Sequence, residues 1–284
     1  MEELAEQPAD TRVEAEPPGD EPCVVLCDLD GVVWLAHEPI AGSVEAIAQL
    51  RAAGHRVLFV TNNSAARVEV QEASLGAIGI PAVGDVLTSA NAAALLIEPG
   101  ERVLVCGGEG VIQAVVGRGG VVVDAADQHV DAVVVGFHRT FDYDEMLSSS
   151  RAVRNGARLI GTNDDATYPT PDGPIPGGGA ILASIVTASG VAPIVAGKPH
   201  EPMAALVRAT IGDGASKNAV MVGDRPETDG LMALTLGCRY AHVESGVTAP
   251  GTTVSPTPDV IAANLAGVAK VLIDEGVTTG RMRA

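Results

Sequence analysis

Two aspartates stand two residues apart in Asp28-Leu29-Asp30-Gly31-Val32, directly after the short apolar run Cys23-Val24-Val25-Leu26-Cys27. That run reads as a buried strand. Side chains alternate faces along extended backbone, so Asp28 and Asp30 address one small volume where the strand ends, and Gly31 lets the chain turn. Two carboxylates that close attract a cation or share a proton, because both cannot stay ionised without compensation. In open α/β sheets, ligands bind in the crevice beyond the carboxyl ends of the strands. Taken alone, the pair is equally compatible with one acid capping the next helix and the other being solvated.

Three further segments repeat this placement. The apolar run over 56–60 ends in Thr61-Asn62-Asn63-Ser64. A helix is expected over 65–78, so backbone N–H groups near residue 64 can hold an anion at a helix start, or Asn63 or Ser64 can simply cap it. The run 194–196 leads to Gly197-Lys198-Pro199 and an expected helix over 202–211. Ala219-Val220-Met221-Val222 delivers Gly223-Asp224-Arg225, with Thr228 and Asp229 close behind. A lone lysine or aspartate at such a place is ordinary surface charge or a cap; repeated strand-end coincidences are harder to dismiss.

The elements that must position these residues follow from composition and periodicity. The 284 residues suffice for one large α/β domain or two smaller ones. Aromatics make up only 2%, so the core is built from Ala, Val, Leu and Ile, which suits helices packed on a parallel sheet. A net charge of -18 without any Lys/Arg cluster argues against nucleic acid as a partner. Apolar runs are short and interrupted and the amino terminus is acidic, so neither a membrane span nor a signal peptide is expected, and a cytoplasmic location is. Residues 1–21 carry eight acids against Arg12, with several prolines, and read as a disordered acidic leader.

After the Asp pair, residues 40–53 have helical spacing, with Val44, Ile47 and Leu50 on one face and Gly54 as the stop. From 85 to 188 the alternation restarts, with strands expected over 102–106, 121–123, 132–135 and 158–160 and helices over 88–98, 109–117 and 144–155. That is enough for a separate inserted domain, leaving 22–84 and 189–284 as the main one, completed by a strand over 239–243 and a helix over 262–273. Gly108-Glu109-Gly110 falls short of a dinucleotide fingerprint because Gln113 holds the third glycine position, and reads as a strand-to-helix turn. Gly177-Gly178-Gly179 lacks the Lys-Ser or Lys-Thr pair of a phosphate loop and reads as a hinge or connector. Cys23, Cys27, Cys106 and Cys238 form no Cys-x-x-Cys pair and read as reduced core residues. The six histidines are scattered without metal-ligand spacing, and no site is expected from them.

Together, Asp28-Leu29-Asp30-Gly31-Val32, Thr61-Asn62-Asn63-Ser64, Gly197-Lys198-Pro199 and Gly223-Asp224-Arg225 with Asp229 resemble, in order, the four motifs of the haloacid dehalogenase superfamily of phosphatases. The insertion resembles the larger α/β cap of the subgroup containing the NagD-like, phosphoglycolate and pyridoxal phosphate phosphatases. It does so also in Asp131-Ala132-Val133-Val134-Val135-Gly136-Phe137 and in Thr162-Asn163-Asp164 leading to Tyr168-Pro169-Thr170-Pro171-Asp172-Gly173. The similarity covers nearly everything after residue 22. It implies a Rossmann-like parallel-sheet core with an inserted cap.

By that resemblance Asp28 is the nucleophile, forming an aspartyl-phosphate, and Asp30 is the general acid and then the general base. Magnesium is the implied cofactor, held by Asp28, the Asp30 carbonyl and Asp224, with Asp229 behind them. Thr61, the backbone near Asn62, and Lys198 hold the phosphoryl oxygens. In the cap, Thr167, Tyr168 and Asp172 are candidates for a specificity loop, and a rigid Pro-rich turn is the alternative. The implied partner is a small phosphorylated metabolite, with assembly into homodimers through the cap. The competing function is a phosphometabolite-binding or regulatory protein with little hydrolysis, against which Asp28, Asp30, Lys198 and Asp224 all count. Asp30 also argues against dehalogenation, since carbon–halogen cleavage leaves no alkoxide to protonate.

Overall fold

Two all-parallel sheets carry the chain in this computed structural model, which describes residues 23–274 apart from 36, 171, 213 and 250. The acidic leader expected over 1–21 lies outside the described residues. The first sheet is built from β1 (Val24–Cys27), β2 (Arg56–Thr61) and β3 (Val86–Thr88), and from three strands described below. The second is built from β4 (Arg102–Cys106), β5 (Val121–Val123), β6 (Ala132–Val135), β7 (Arg158–Gly161) and β8 (Ile194–Val195), in the order β8-β7-β6-β4-β5. The chain then returns through β9 (Ala219–Gly223), β10 (Arg239–Val243) and β11 (Val260–Ala262), giving the first sheet the order β11-β10-β9-β1-β2-β3.

The strands of the first sheet are apolar on both faces because both faces are covered. The side-chain period of two sends Leu26, Leu58, Val60 and Met221 to one side, against Met203, Ala204 and Val207 of helix α7 (Glu201–Ile211). Val25, Cys27, Phe59, Val220 and Val222 go to the other side. There they meet Ile47 and Leu50 of α1 (Ser43–Ala52) and Leu265, Val268 and Leu272 of α8 (Leu265–Asp274). Each such fully buried aliphatic side chain contributes roughly 1.5–3 kcal/mol relative to exposure.

The change of sheet does not fall at the expected boundaries. Val86–Thr88 pairs with β2 in the first sheet, and Ile194–Val195 pairs with β7 in the second. Both are short runs at sheet edges, where sequence alone carries no information about which neighbour donates the ladder. The two units are also joined through α3 (Ser89–Ala94), whose Ala90, Ala92, Ala93 and Ala94 belong to one apolar cluster with Met203 and Val207 on one side and Val111 and Val115 of α4 (Glu109–Gly117) on the other. The opposite face of the second sheet is closed by α5 (Tyr143–Arg154) and α6 (Gly178–Ser189).

Two glycine clusters have a structural reason. Gly177-Gly178-Gly179 is not a hinge: it begins α6, and Cβ atoms there would lie 2.4 Å from the Asp165 carbonyl, 2.9 Å from Asn163 Oδ1 and 2.3 Å from the Asp164 backbone. Leading glycines hid this helix from a propensity reading. Gly108 and Gly110 form the expected strand-to-helix turn, and Cβ atoms on them would meet the carbonyls of Ala65 and Ala66 at 2.4 and 2.2 Å. The helix expected over 65–78 begins only at Val68, so α2 spans Val68–Ala77 and residues 64–67 form an irregular turn against α4. The Val68 N–H is satisfied by Gln113 of α4, a long-range partner that local sequence does not reveal.

Candidate active site

Asp28 follows β1 and extends its pairing, its N–H donating to the Val222 carbonyl at 2.9 Å. Thr61 ends β2 and Asp224 follows β9, so three neighbouring strands present polar side chains at one edge of the first sheet. Lys198 lies three residues beyond β8, where the chain leaves the second sheet and returns to the first. Its backbone is gripped by the Asn62 side chain, which accepts from Lys198 N–H at 2.8 Å and donates to the Lys198 carbonyl at 3.0 Å. The Asn62 carbonyl in turn accepts from Ser89 Oγ at 2.7 Å and Asn163 Nδ2 at 2.8 Å. Gly197 makes this approach possible, since a Cβ there would sit 2.5 Å from Asn62 Oδ1.

The Lys198 ammonium is 2% exposed and donates to Asp28 Oδ1 and Asp229 Oδ1, both at 2.7 Å. Burial alone would depress its pKa, but Asp229 and Asp28 outweigh burial and hold it above the ordinary lysine value. Asp229 Oδ2 also accepts from the Arg225 N–H at 3.1 Å, which fixes its carboxylate behind Lys198.

Asp224 is clamped by a loop that sequence reasoning did not single out. Its Oδ2 accepts from Val247 N–H at 2.8 Å, its carbonyl accepts from Thr248 Oγ1 at 2.6 Å, and Ser245 Oγ donates to the Gly31 carbonyl at 2.7 Å. The signal was available: Ser245-Gly246-Val247-Thr248 is another polar segment just past the carboxyl end of a strand, β10. Gly31, at φ +87°, and Gly246 admit the Asp224 carboxylate, which Cβ atoms would crowd at 2.6 and 1.9 Å.

The other oxygen, Asp224 Oδ1, is buried without a hydrogen-bond partner. Carboxylate oxygens of Asp28, Asp224 and Asp229 lie within 4.8 Å of one another. Three buried carboxylates against one ammonium leave two negative charges uncompensated. Burial, with Asp28 adding to it, pushes Asp224 up to about 6. Burial likewise raises Asp229, opposed by Lys198 and reinforced by Asp28. An orphaned carboxylate oxygen, an all-oxygen donor set and a charge deficit of two fit a hard divalent cation such as Mg²⁺.

Asp30 points into the same cavity, and burial, then the charge of Asp28, pushes its carboxyl up to about 7. Thr61 is buried, its Oγ1 accepting from Asn63 N–H at 3.1 Å, so its own proton is free to point at a ligand. The cavity between the two units holds about 50 Å³. The core contributes Asp28, Asp30, Thr61, Asn62, Lys198 and Arg225 to its lining, and the inserted unit contributes Phe137, Asn163, Asp165, Thr167 and Tyr168.

Thus Asp28, Asp30, Thr61, Asn62, Lys198, Asp224 and Asp229 converge. Thr167 and Tyr168, in a short antiparallel ribbon with Ile175–Pro176, reach the cavity from above. Asp172 does not: it is exposed in the turn that joins the two strands of that ribbon and is absent from the lining. Phe137 and Asp165 are among the lining residues that sequence reasoning does not propose for the site. Phe137 stacks on Tyr168 with ring centroids 5.2 Å apart and planes 13° apart. Asp165, raised by burial, accepts from Asn62 Nδ2 at 3.0 Å. Residues 25–120 match the family described as haloacid dehalogenase-like hydrolase, and residues 195–267 match the one described as HAD-hydrolase-like.

An acid sugar phosphatase from Staphylococcus saprophyticus is 37% identical over 227 residues, covering 78% of this chain and 86% of that protein. The crystal structure of a glycerol phosphate phosphatase from Mycobacterium tuberculosis in complex with magnesium superposes with a TM-score of 0.80 at 34% identity, covering 89% of this chain and 78% of that one. A p-nitrophenyl phosphatase from Archaeoglobus fulgidus superposes with a TM-score of 0.82 at 28% identity, covering 89% of this chain and all of that one, 100%. The chain therefore belongs to the haloacid dehalogenase-like hydrolases, in the subfamily of phosphatases that carry an inserted parallel α/β cap.

Proposed function

We propose that this protein hydrolyses small phosphomonoesters in a magnesium-dependent reaction through an aspartyl-phosphate on Asp28. The observation that carries this reading is the buried ammonium of Lys198 bridging Asp28 and Asp229 at 2.7 Å beside the unpartnered Oδ1 of Asp224. With Oδ1 of Asp28 held by Lys198, Oδ2 attacks phosphorus. The ester P–O bond breaks, and Asp30, protonated near neutrality, gives its proton to the leaving alkoxide. Asp30 then takes a proton from the water that attacks the acyl phosphate, which frees inorganic phosphate and restores Asp28. Thr61 and Lys198 donate to the phosphoryl oxygens, where negative charge accumulates. Asp28, the Asp30 carbonyl and Asp224 are the groups to hold Mg²⁺, which when bound supplies the positive charge that lets two anions approach each other.

The lining that the inserted unit supplies, Phe137, Asn163, Thr167 and Tyr168, sets two aromatic rings and hydrogen-bonding groups beside the alcohol of the ester, which suits a small polyol or sugar phosphate. The names of the similar proteins, an acid sugar phosphatase and a glycerol phosphate phosphatase, point the same way. Phosphate release from p-nitrophenyl phosphate, glycerol phosphate and sugar phosphates, with and without Mg²⁺, tests the reading. Turnover abolished by chelator and by Asp28→Asn is expected; no turnover by the wild type, or turnover that survives both, refutes it.

A further inference from the structure

The cap contains a second convergence of metal-binding side chains, remote from Asp28 in the chain and absent from the lining of its cavity. Cys106 closes β4, His138 lies three residues beyond β6, and Glu145 occupies the first turn of α5. One donor atom from each of the three side chains lies within 4.8 Å of the other two.

The geometry distinguishes this cluster from a nucleophilic one. Cys106 Sγ is 3.7 Å and Glu145 Oε2 is 3.5 Å from the same atom, His138 Nε2. In a nucleophile–base–acid arrangement the thiol and the carboxylate face opposite ring nitrogens. Here the other nitrogen, Nδ1, is already engaged with Thr140 Oγ1 at 3.2 Å, which orients the ring. Zn–S of about 2.3 Å and Zn–N or Zn–O of about 2.0 Å, arranged tetrahedrally, separate S from N by about 3.5 Å and N from O by about 3.3 Å. The observed spacings lie close to those edges. Glu145 Oε2 is moreover buried without a hydrogen-bond partner. A buried carboxylate oxygen with no donor, facing an imidazole and a thiol, lacks a positive centre.

We propose that Cys106, His138 and Glu145 form a zinc site that clamps β4, β6 and α5 of the cap together. One thiolate, one imidazole and one carboxylate suit a borderline-soft divalent ion rather than the magnesium suited to the all-oxygen site. On binding, the Cys106 thiol releases its proton to solvent and the Zn–S bond forms. Glu145 has 40% of its side chain exposed, so a water reaches the fourth position from that side. Phe137, which walls the catalytic cavity, precedes His138 directly, so the same ion anchors the base of that wall.

Titration of the magnesium-loaded protein with Co²⁺, read by absorption, tests the site. The expected result is a thiolate-to-cobalt charge-transfer band that saturates near one equivalent and disappears on adding Zn²⁺. Cys106→Ser should lose the band, and His138→Gln should weaken cobalt binding at least tenfold. Zinc should raise the Tm of the wild type and not of either variant. Magnesium-dependent p-nitrophenyl phosphate turnover, or the circular dichroism spectrum if turnover is absent, reports whether the variants are folded. Should Cys106→Ser fail to fold, His138→Gln carries the test. No band from the wild type, a band that persists in Cys106→Ser, or unchanged affinity in His138→Gln overturns the proposal.

Discussion

Replacing Asp30 by Asn separates the two halves of the reaction. Asp30 sits in the cavity with its carboxyl pushed to about 7 by burial and then by Asp28, against an ordinary value of 3.8. At pH 7 an unperturbed carboxyl is protonated in about one molecule per thousand, whereas one titrating near 7 is protonated in about half, so the environment enlarges the acid-competent population several hundred-fold. A cation beside Asp28 offsets the second contribution and lowers the value, while burial keeps part of the rise. General acid catalysis contributes about 10²–10⁴-fold where the leaving group is a poor one. An alkoxide such as that of glycerol phosphate needs the proton, and p-nitrophenolate does not. Asp30→Asn should therefore cut turnover of an alkyl phosphate by about 10²–10⁴. With p-nitrophenyl phosphate it should leave a rapid burst of about one p-nitrophenolate per active site followed by slow turnover, because the base for the second step is gone. Stopped-flow absorbance at pH 7 with Mg²⁺ reads both phases. Equal losses on the two substrates with no burst would refute the assignment of acid and base to Asp30.

Other consequences are equally open to measurement. Lys198→Met keeps the length but removes the ammonium from between Asp28 and Asp229, so activity should fall more than 100-fold and urea-denaturation stability by about 3 kcal/mol; a stable, active variant would contradict the bridging role. Asp224→Asn should weaken the magnesium dependence of turnover at least tenfold, read as the half-saturating Mg²⁺ concentration. His55 and His242 are both lowered by burial, with Arg239 adding to it at His55, and His55 Nδ1 accepts from the Cys23 N–H at 3.1 Å. Their unfolded-state values lie above their folded ones, so the stability they contribute is complete above about pH 6.5 and is lost as pH falls below it. The carboxyls of Asp30 and Asp224, raised in the fold, act with the opposite sign over the same range, so the contribution is read by difference: between pH 7 and 5 the urea midpoint of the wild type should fall relative to that of His55→Gln. Tyr168→Ala removes the ring that stacks on Phe137 and should raise KM for a polyol phosphate more than it lowers kcat.

What could be read from the chain alone follows from which interactions are local. The buried strands announce themselves, because runs such as 219–222 are apolar on both faces, and each ends where a polar residue becomes permissible; that is why Asp28, Thr61 and Asp224 were recoverable one by one. Lys198 was recoverable as a residue but not as a bridge. Its placement depends on Asn62, 136 positions away in sequence, gripping its backbone. The late start of α2 and the role of Gly177-Gly178-Gly179 were hidden for the same reason: Gln113 and the Asn163–Asp165 backbone decide them from a distance. The histidines gave no ligand spacing because Cys106, His138 and Glu145 come from two strand ends and a helix. Spacing rules detect ligands that share one element, and this cluster shares none.

Charge explains why a protein of net charge -18 can be built to receive a phosphate dianion. Bulk charge acts at a Debye length of about 8 Å through water and is screened, while the buried cluster acts at hydrogen-bond distance in a low dielectric. Within that cluster Asp28, Asp224 and Asp229 exceed Lys198 by two charges, so the folded chain without a cation repels the group it should bind. A divalent ion cancels that excess, and the unpartnered Oδ1 of Asp224 gains a partner in the same event. Cation and substrate affinity are then linked, each raising the other by the same factor. The acidic surface is no obstacle to this arrangement, because the decisive attraction is assembled locally, from one lysine and a bound ion, where the strand ends meet.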